Sequence, residues 1–285
     1  MKKFFGALLL LACLFGLGLG AGYWWRCAHP AHKLTILHVN DSHAQLEPVR
    51  TGDLAGMGGV LERIAYIDSV RVADGAENVL VLHAGDFSQG TTYFSEFGAP
   101  LMVQMLNAIH YDVATLGNHE FDNGIEALGA ALAGSEVPIV VCNYDFSPFE
   151  MGKYIQPYVI VEKAGLRIGV VGVLCSLASM VQGDTANRLP ELDMVSSVQK
   201  YVDEIRPQCD LVIALTHIGY DPHNPGDMTD PMLCAATRGI DIFVGGHSHT
   251  FLSQPDYVKN LDGRRVPIVQ VGYTGSYMGE FHLSR

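Results

Sequence analysis

The sequence predicts an α/β fold whose strand ends carry the chemistry, and two observations lead there. Short apolar, β-branched runs alternate with amphipathic helical patterns along the chain after its N-terminal segment. Several of these runs also give way at once to a cluster of Asp, Asn or His, and in sheet enzymes the loops at strand carboxyl ends are where ligands and catalytic groups gather.

The elements follow in order. Leu34 to Val39 reads as the first strand, ending in Asn40-Asp41-Ser42-His43. Gly58-Gly59 opens a helix with Val60, Leu61, Ile64 and Ile67 on one face. Asn78 to His83 is the next strand and runs into Gly85-Asp86, and Pro100 suits the first turn of a helix carrying Leu101, Met105 and Ile109. Asp112 to Leu116 leads into Gly117-Asn118-His119-Glu120, followed by a helix over Ile125 to Leu132 and a buried strand over Pro138 to Cys142. Tyr158–Val161 and Leu166–Val173 flank the turn signal Lys163-Ala164-Gly165 and make a hairpin. Val198, Tyr201, Val202 and Ile205 form a helical stripe before Pro207. Leu211 to Leu215 is a strand ending at Thr216-His217, and Ile240 to Val244 another, ending at Gly245-Gly246-His247-Ser248-His249. Val266 to Val271 and Gly279 to Leu283 close the chain as strands.

Composition narrows the function class. With 285 residues, 48% hydrophobic and 17% charged, the chain has apolar content enough for one large domain, expected over 33–285. The net charge of −12 comes without a basic stripe, which argues against a nucleic-acid polymer as partner. An acidic protein that handles phosphate needs bound cations to neutralise its substrate.

Residues 1–25 read as a targeting segment: Lys2 and Lys3 precede an apolar run from Phe4 to Trp25. A cleaved signal peptide fits, with Gly18, Gly20 and Gly22 near the cleavage point. So does an uncleaved membrane anchor, since about 20 apolar residues span a bilayer and Trp24-Trp25-Arg26 suits its interface. A third reading makes Cys13 a lipid-attachment site, with a short apolar run before it. All three export the domain, periplasmic or extracellular, with residues 26–32 as a linker. Cys27, Cys142, Cys175, Cys209 and Cys234 form no C-x-x-C pair, so no thiolate zinc site is indicated; Cys142 and Cys175 read as buried small hydrophobes.

The strand-end residues are Asp41, His43, Asp86, Asn118, His217, His247 and His249. Imidazole with carboxylate suits Zn, Mn or Fe, whereas an all-oxygen set would have suggested calcium or magnesium. Seven ligands serve two ions if one carboxylate bridges, and Asp86 stands centrally in the order. Two such ions about 3.5–4 Å apart clamp a phosphoryl group and turn a shared water into a nucleophile at neutral pH. Each cluster alone has an ordinary reading as a turn; five in order, all at strand ends, do not. His38 and His83, inside strands, read as hydrogen-bonded core groups. His110, His223 and His282 read as surface or structural, and His29 and His32 belong to the linker.

The ordered set Asn40-Asp41-Ser42-His43, Gly85-Asp86, Gly117-Asn118-His119-Glu120-Phe121-Asp122, Thr216-His217 and Gly246-His247-Ser248-His249 resembles the calcineurin-like metallophosphoesterases. Within them it is most similar to the exported branch of 5′-nucleotidases, 2′,3′-cyclic phosphodiesterases and UDP-sugar hydrolases, especially from His83 to Asp122, where Phe87-Ser88-Gln89-Gly90-Thr91 and Tyr93-Phe94 add to the likeness. The resemblance covers residues 33–285. It implies a four-layer α/β/β/α sandwich and a phosphate ester hydrolase acting on nucleotides. One metal would be held by Asp41, His43, Asp86 and His249, the other by Asp86, Asn118, His217 and His247. His119 would assist the leaving oxygen, with Asp122 orienting its imidazole. Relatives of this branch carry a C-terminal substrate domain, which is absent from the sequence up to Arg285; the chain is expected to be either a fragment of a two-domain protein or a lone catalytic domain, and the substrate is its least determined property. A thiosulfohydrolase-like sulfur-ester hydrolase and a non-catalytic binding domain are the other readings, and the presence of the whole ligand set with His119 and Asp122 argues against the last.

Overall fold

Strand β1 (Lys33–Val39) and strand β2 (Val79–Ala84) are buried almost along their whole length. Strands buried on both faces belong to a parallel sheet covered on both sides, and that is how they pair. The structure, a computed structural model, describes residues 33–178, 180–181 and 184–284. The signal or anchor over 1–25 and the linker over 26–32 lie outside the described residues. No helix among the described residues is long and apolar enough to cross a membrane.

The first sheet continues from β1 and β2 through β3 (Val113–Thr115), β4 (Ile139–Val140) and β5 (Ile155–Gln156), all parallel, with β12 (Gly279–Ser284) on the other edge. The second sheet contains β6 (Tyr158–Lys163), β7 (Leu166–Leu174), β8 (Leu211–His217), β9 (Ile242–Val244), β10 (Asp256–Lys259) and β11 (Arg265–Val269), in the order β10-β11-β9-β8-β7-β6. Its centre is parallel and its two edge pairs are antiparallel. β2, β3 and β4 face β7 and β8 across the core. Helices α1 (Val60–Asp74), α2 (Thr92–Ile109) and α3 (Gly124–Leu132) pack together and α1 lies on β2, while α5 (Met194–Ile205) lies on β7. The short α4 (Thr185–Arg188) precedes α5, and α6 (Asp230–Ala236) packs on β10 and β11. The result is the four-layer α/β/β/α sandwich that the resemblance implied.

Local sequence explains most of the elements. The β6–β7 hairpin turns at Ala164 and Gly165, with φ of 53° and 70°, the paired positive values of a two-residue turn that follows strand twist. In α2 the chain breaks helical geometry at Gly98 (φ 64°, ψ −162°), so Pro100 falls in the first turn of a second segment, where its missing N–H costs nothing. Asp193 caps α5 by accepting from the Ser196 N–H. Cys142, Cys175, Cys209 and Cys234 are free thiols.

Three expectations are corrected. On α1, Leu61 is 75% exposed, and the inner position is taken by Arg63. Arg63 can be buried there because its guanidinium donates to the carbonyls of Gly59 and Gln45. The strand expected over Pro138 to Cys142 is only two residues long, because the Cys142 N–H leaves the ladder for the Gly172 carbonyl of the second sheet. That crossing needs a glycine: a Cβ at Gly172 would overlap the Val140 carbonyl. Finally, the structure adds β5, β10, α4 and α6 to the elements read from sequence; the two strands are short or polar, α4 is a single turn and α6 spans barely two.

Gly172→Ala should therefore destabilise the protein by at least about 1–3 kcal/mol, the scale of a forced overpacking. A denaturant midpoint equal to the parent's would contradict the direct contact between the sheets at this point.

Candidate metal centre

Five loops, each following a strand, meet at one rim. The loop after β1 carries Asp41 and His43, that after β2 Asp86, that after β3 Asn118 and His119; β8 ends at His217, and the loop after β9 carries His247 and His249. Two groups with converging ligand atoms result, Asp41 with His43 and His249, and Asp86 with His217 and His247, each with its atoms within 4.8 Å of one another. They adjoin: His217 Nε2 lies 3.1 Å from Asp86 Oδ2 and 3.9 Å from Asp41 Oδ1. Asn118 is buried one residue before His119, whose N–H donates to Asp86 Oδ1 at 2.9 Å.

The backbone is held in an unfavourable form to achieve this. Asp41, His43, Asp86, His247 and His249 all have positive φ, between 46° and 85°. Left-handed backbone in such residues costs roughly 1–3 kcal/mol each and persists only where neighbours impose it. Here the first loop runs along the second: Asp41 N–H, His43 N–H and Ala44 N–H donate to the carbonyls of Gly85, Asp86 and Phe87, each at 3.0 Å. The Asp41 carboxylate accepts the His247 N–H. Gly117 leaves room for the Asp86 carboxylate and His217 Nε2, both of which a Cβ would overlap.

Charge is balanced within the cluster. Burial alone would neutralise the carboxylates, yet the adjacent His217 holds both Asp41 and Asp86 below the usual carboxylate range. Burial likewise opposes a charged His217, but the Asp86 and Asp41 carboxylates raise its pKa to about 10. His247, buried beside a cationic His217, falls to about 4. His38 and His83 are pushed down by burial to about 4 and about 3, and His83 Nε2 meets Ser42 Oγ at 3.0 Å. Both are buried in the core, as expected, but Nδ1 of each ring has no hydrogen-bond partner, so the expected hydrogen bonding is seen only for His83 Nε2.

The donor set fits cations. His217 Nε2 is buried without a hydrogen-bond partner, despite its nearness to Asp86. His43 and His249 bring their Nε2 atoms to 3.0 Å from one another, so one ring donates to the other here, and the same two nitrogens lie close enough to share a cation. No lysine or arginine forms an ion pair with Asp41 or Asp86 among the described residues. Beside the cluster, the His119 ring lies 5.5 Å from that of His43, and its Nδ1 meets Asp122 Oδ2 at 2.9 Å. That bond to Asp122 raises the His119 pKa.

Some contributors were invisible in the sequence. Glu120 is fully buried and accepts three backbone N–H groups, those of Asp86, Ser88 and Gly117, so one carboxylate ties the second loop to the third. Burial and the Asp86 charge raise its pKa to about 7. Asn40 binds Asp41 Oδ2, the Gly272 carbonyl and the Val271 N–H. Asp230 accepts from the Thr216 hydroxyl beneath His217. His223, read as a surface residue and indeed exposed, stands with its ring 5.8 Å from that of His247. Glu120, Asn40 and Thr216 stood in the sequence as members of the strand-end clusters, but nothing in those clusters marked what they bind.

The family model for the calcineurin-like phosphoesterases matches residues 34–251, which span all five loops. The chain belongs to the calcineurin-like phosphoesterase family. Among its relatives, a 5′-nucleotidase of Diplobatis ommata is 34% identical over 98% of this chain and 49% of that protein. A human 5′-nucleotidase is 33% identical over 92% of this chain and 48% of its own length. The crystal structure of a 5′-nucleotidase precursor from Thermus thermophilus superposes with a TM-score of 0.78 at 34% identity, covering 88% of this chain and 51% of that one. The chain thus spans about half the length of the curated relatives it matches. The phosphoesterase family works with a dinuclear metal centre, and the two residue groups are this chain's candidates for it.

Glu120→Ala would strand three buried N–H groups in this chain, at about 1–3 kcal/mol for each unsatisfied group. A drop in melting temperature is the expected result, and an unchanged melt would show that the loops are held by something else.

Proposed function

We propose that the chain is a dinuclear-metal-dependent phosphate ester hydrolase with 5′-nucleotidase-like action on extracytoplasmic nucleotides. The observation that carries the reading is the meeting of two ligand groups at one rim, beside a histidine whose Nδ1 is tied to a carboxylate. The names of the relatives support nucleotides as the substrate class, and the apolar segment after Lys2-Lys3 supports export.

In this reading Asp41, His43, Asp86 and His249 would hold one divalent ion, and Asp86, Asn118, His217 and His247 would hold the other. Two such ions would supply the positive charge that offsets a phosphate and activates water at neutral pH. His217 and His43 are oriented for coordination because their Nδ1 atoms meet the carbonyls of Ala84 (2.7 Å) and Ser88 (3.3 Å). Burial of Asp41 and Asp86 keeps bulk water from competing for their oxygens. Asp122 holds His119 at Nδ1, so the proton on its Nε2 points toward substrate. There it steadies the charge on the leaving oxygen and passes that oxygen its proton.

Two variants separate metal binding from proton transfer. Asp86→Ala should lower the occupancy of both ions, measured by elemental analysis of the purified protein; two tightly held ions per chain in that variant would remove Asp86 as the bridge. His119→Ala should keep both ions and lose about 10²–10⁴ in turnover of unactivated nucleotide esters. The loss should shrink for nitrophenyl esters, whose leaving group needs no proton. A His119→Ala protein that hydrolyses a nucleoside monophosphate at the parent rate would overturn the role.

A further inference from the structure

The four candidate imidazoles are not held alike. His217 and His43 have Nδ1 against a backbone carbonyl, and a ligand histidine ordinarily needs such a partner to fix its tautomer and ring angle. The polar contacts of the His249 ring run through Nε2, to His43 Nε2 and Asp41 Oδ1. Its side chain is also 41% exposed, far more than those of His43 and His217. Its backbone is left-handed, so its own conformation does not secure it. Two rings lie against its own, that of His43 edge-on at 5.1 Å and that of Tyr273, stacked with centroids 5.0 Å apart and planes only 7° from parallel.

Tyr273 is itself fixed at the backbone. Its neighbour Gly272 donates to the Thr250 carbonyl, one residue after His249, and accepts from Asn40 Nδ2. Val271 donates to Asn40 Oδ1 and forms a bridge with Phe251. On the far side the Tyr273 carbonyl accepts from Thr274 Oγ1 and from the Ser276 N–H, and Gly275 rests against the buried Arg63 guanidinium. The same Arg63 donates to Gln45 O, two residues after His43. Asn40 and Arg63 thus fasten the Tyr273 loop to the loop that carries Asp41 and His43, and the flat phenol face carries that placement to His249.

From this geometry we infer that Tyr273 is a positioning residue of the metal centre: its ring, by stacking on His249, sets the angle at which Nε2 meets the ion held with Asp41 and His43. The inference rests on the two-metal reading above. The stack replaces the hydrogen bond to Nδ1, so the aromatic face matters and the hydroxyl does not. It acts on one ion of the pair, because among the described residues the Tyr273 ring stacks on His249, and no hydrogen bond or ring contact joins it to Asp86, His217 or His247.

The test uses the full chain, stripped of metal and titrated with Co²⁺ against a chromophoric chelator, with the visible spectrum of bound Co²⁺ as a second readout. The parent should take up two equivalents. Tyr273→Ala should bind one equivalent about 10–100-fold more weakly, the usual cost of losing a group that orients a ligand, with the other equivalent unchanged. Tyr273→Phe should match the parent in both. Tyr273→Leu, which keeps apolar bulk for folding but offers no flat face, should match Tyr273→Ala, and circular dichroism should be the same for all. Parent-like binding by both Tyr273→Ala and Tyr273→Leu overturns the inference, as does a Tyr273→Phe protein as weak as Tyr273→Ala. Weakening of both equivalents together overturns the assignment to one ion. A parent that takes up fewer than two equivalents defeats the two-metal reading itself, whereas a two-equivalent parent with indifferent Tyr273 variants defeats only the role of Tyr273.

Discussion

Asp41 and Asp86 are almost wholly withdrawn from water, and two neighbouring carboxylates in such a place repel one another and lack solvation. Taking a single carboxylate out of water costs several kcal/mol even after relaxation. The fold does not meet this with lysine or arginine. It surrounds the pair with imidazoles, which are neutral donors to a cation and can accept a proton when none is bound. Without a metal, His217 is the group that takes the proton, since both carboxylates raise its basicity. The rest of the rim is arranged around that need for positive charge.

Bringing those side chains to one point from five loops exceeds what relaxed backbone allows. Five residues of the cluster accept left-handed conformations, and Gly117 gives up its side chain to the Asp86 carboxylate. The compensation comes from groups outside the candidate ligand set. Glu120 collects three N–H groups, Asn40 links the loop after β1 to the one after β11, and the first two loops share a run of backbone hydrogen bonds. Such a network concentrates rigidity where ligand geometry requires it, while the apolar core of both sheets carries the stability.

The strands and the residues at their ends were legible because both follow local rules. Apolar runs of the right length stop at Asp, Asn or His, and the two-sheet sandwich came with the family resemblance. What escaped depends on partners distant in sequence. Leu61 fits the apolar stripe of α1 as well as Ile64 does, and only the carbonyls of Gly59 and Gln45 explain why Arg63 goes inside. Glu120 and Asn40 work on backbone N–H and C=O groups, which every residue has, so no pattern of residue types announces them. Tyr273 is one tyrosine among twelve until its ring is seen parallel to that of His249. β5, at two residues, is too short to have a period.

The bond between the Asp41 carboxylate and the His247 N–H joins positions 206 residues apart. A ribosome adding about 5–20 residues per second makes the first of these roughly 10–40 s before the second. During that interval Asp41 and His43 lack His249 to complete their set, and β6, β7 and β8 of the second sheet are made before it. The nascent chain therefore has no finished place for an ion until β9 has been made and laid beside β8, and the choice of metal falls to whatever compartment the domain occupies when its last loop closes.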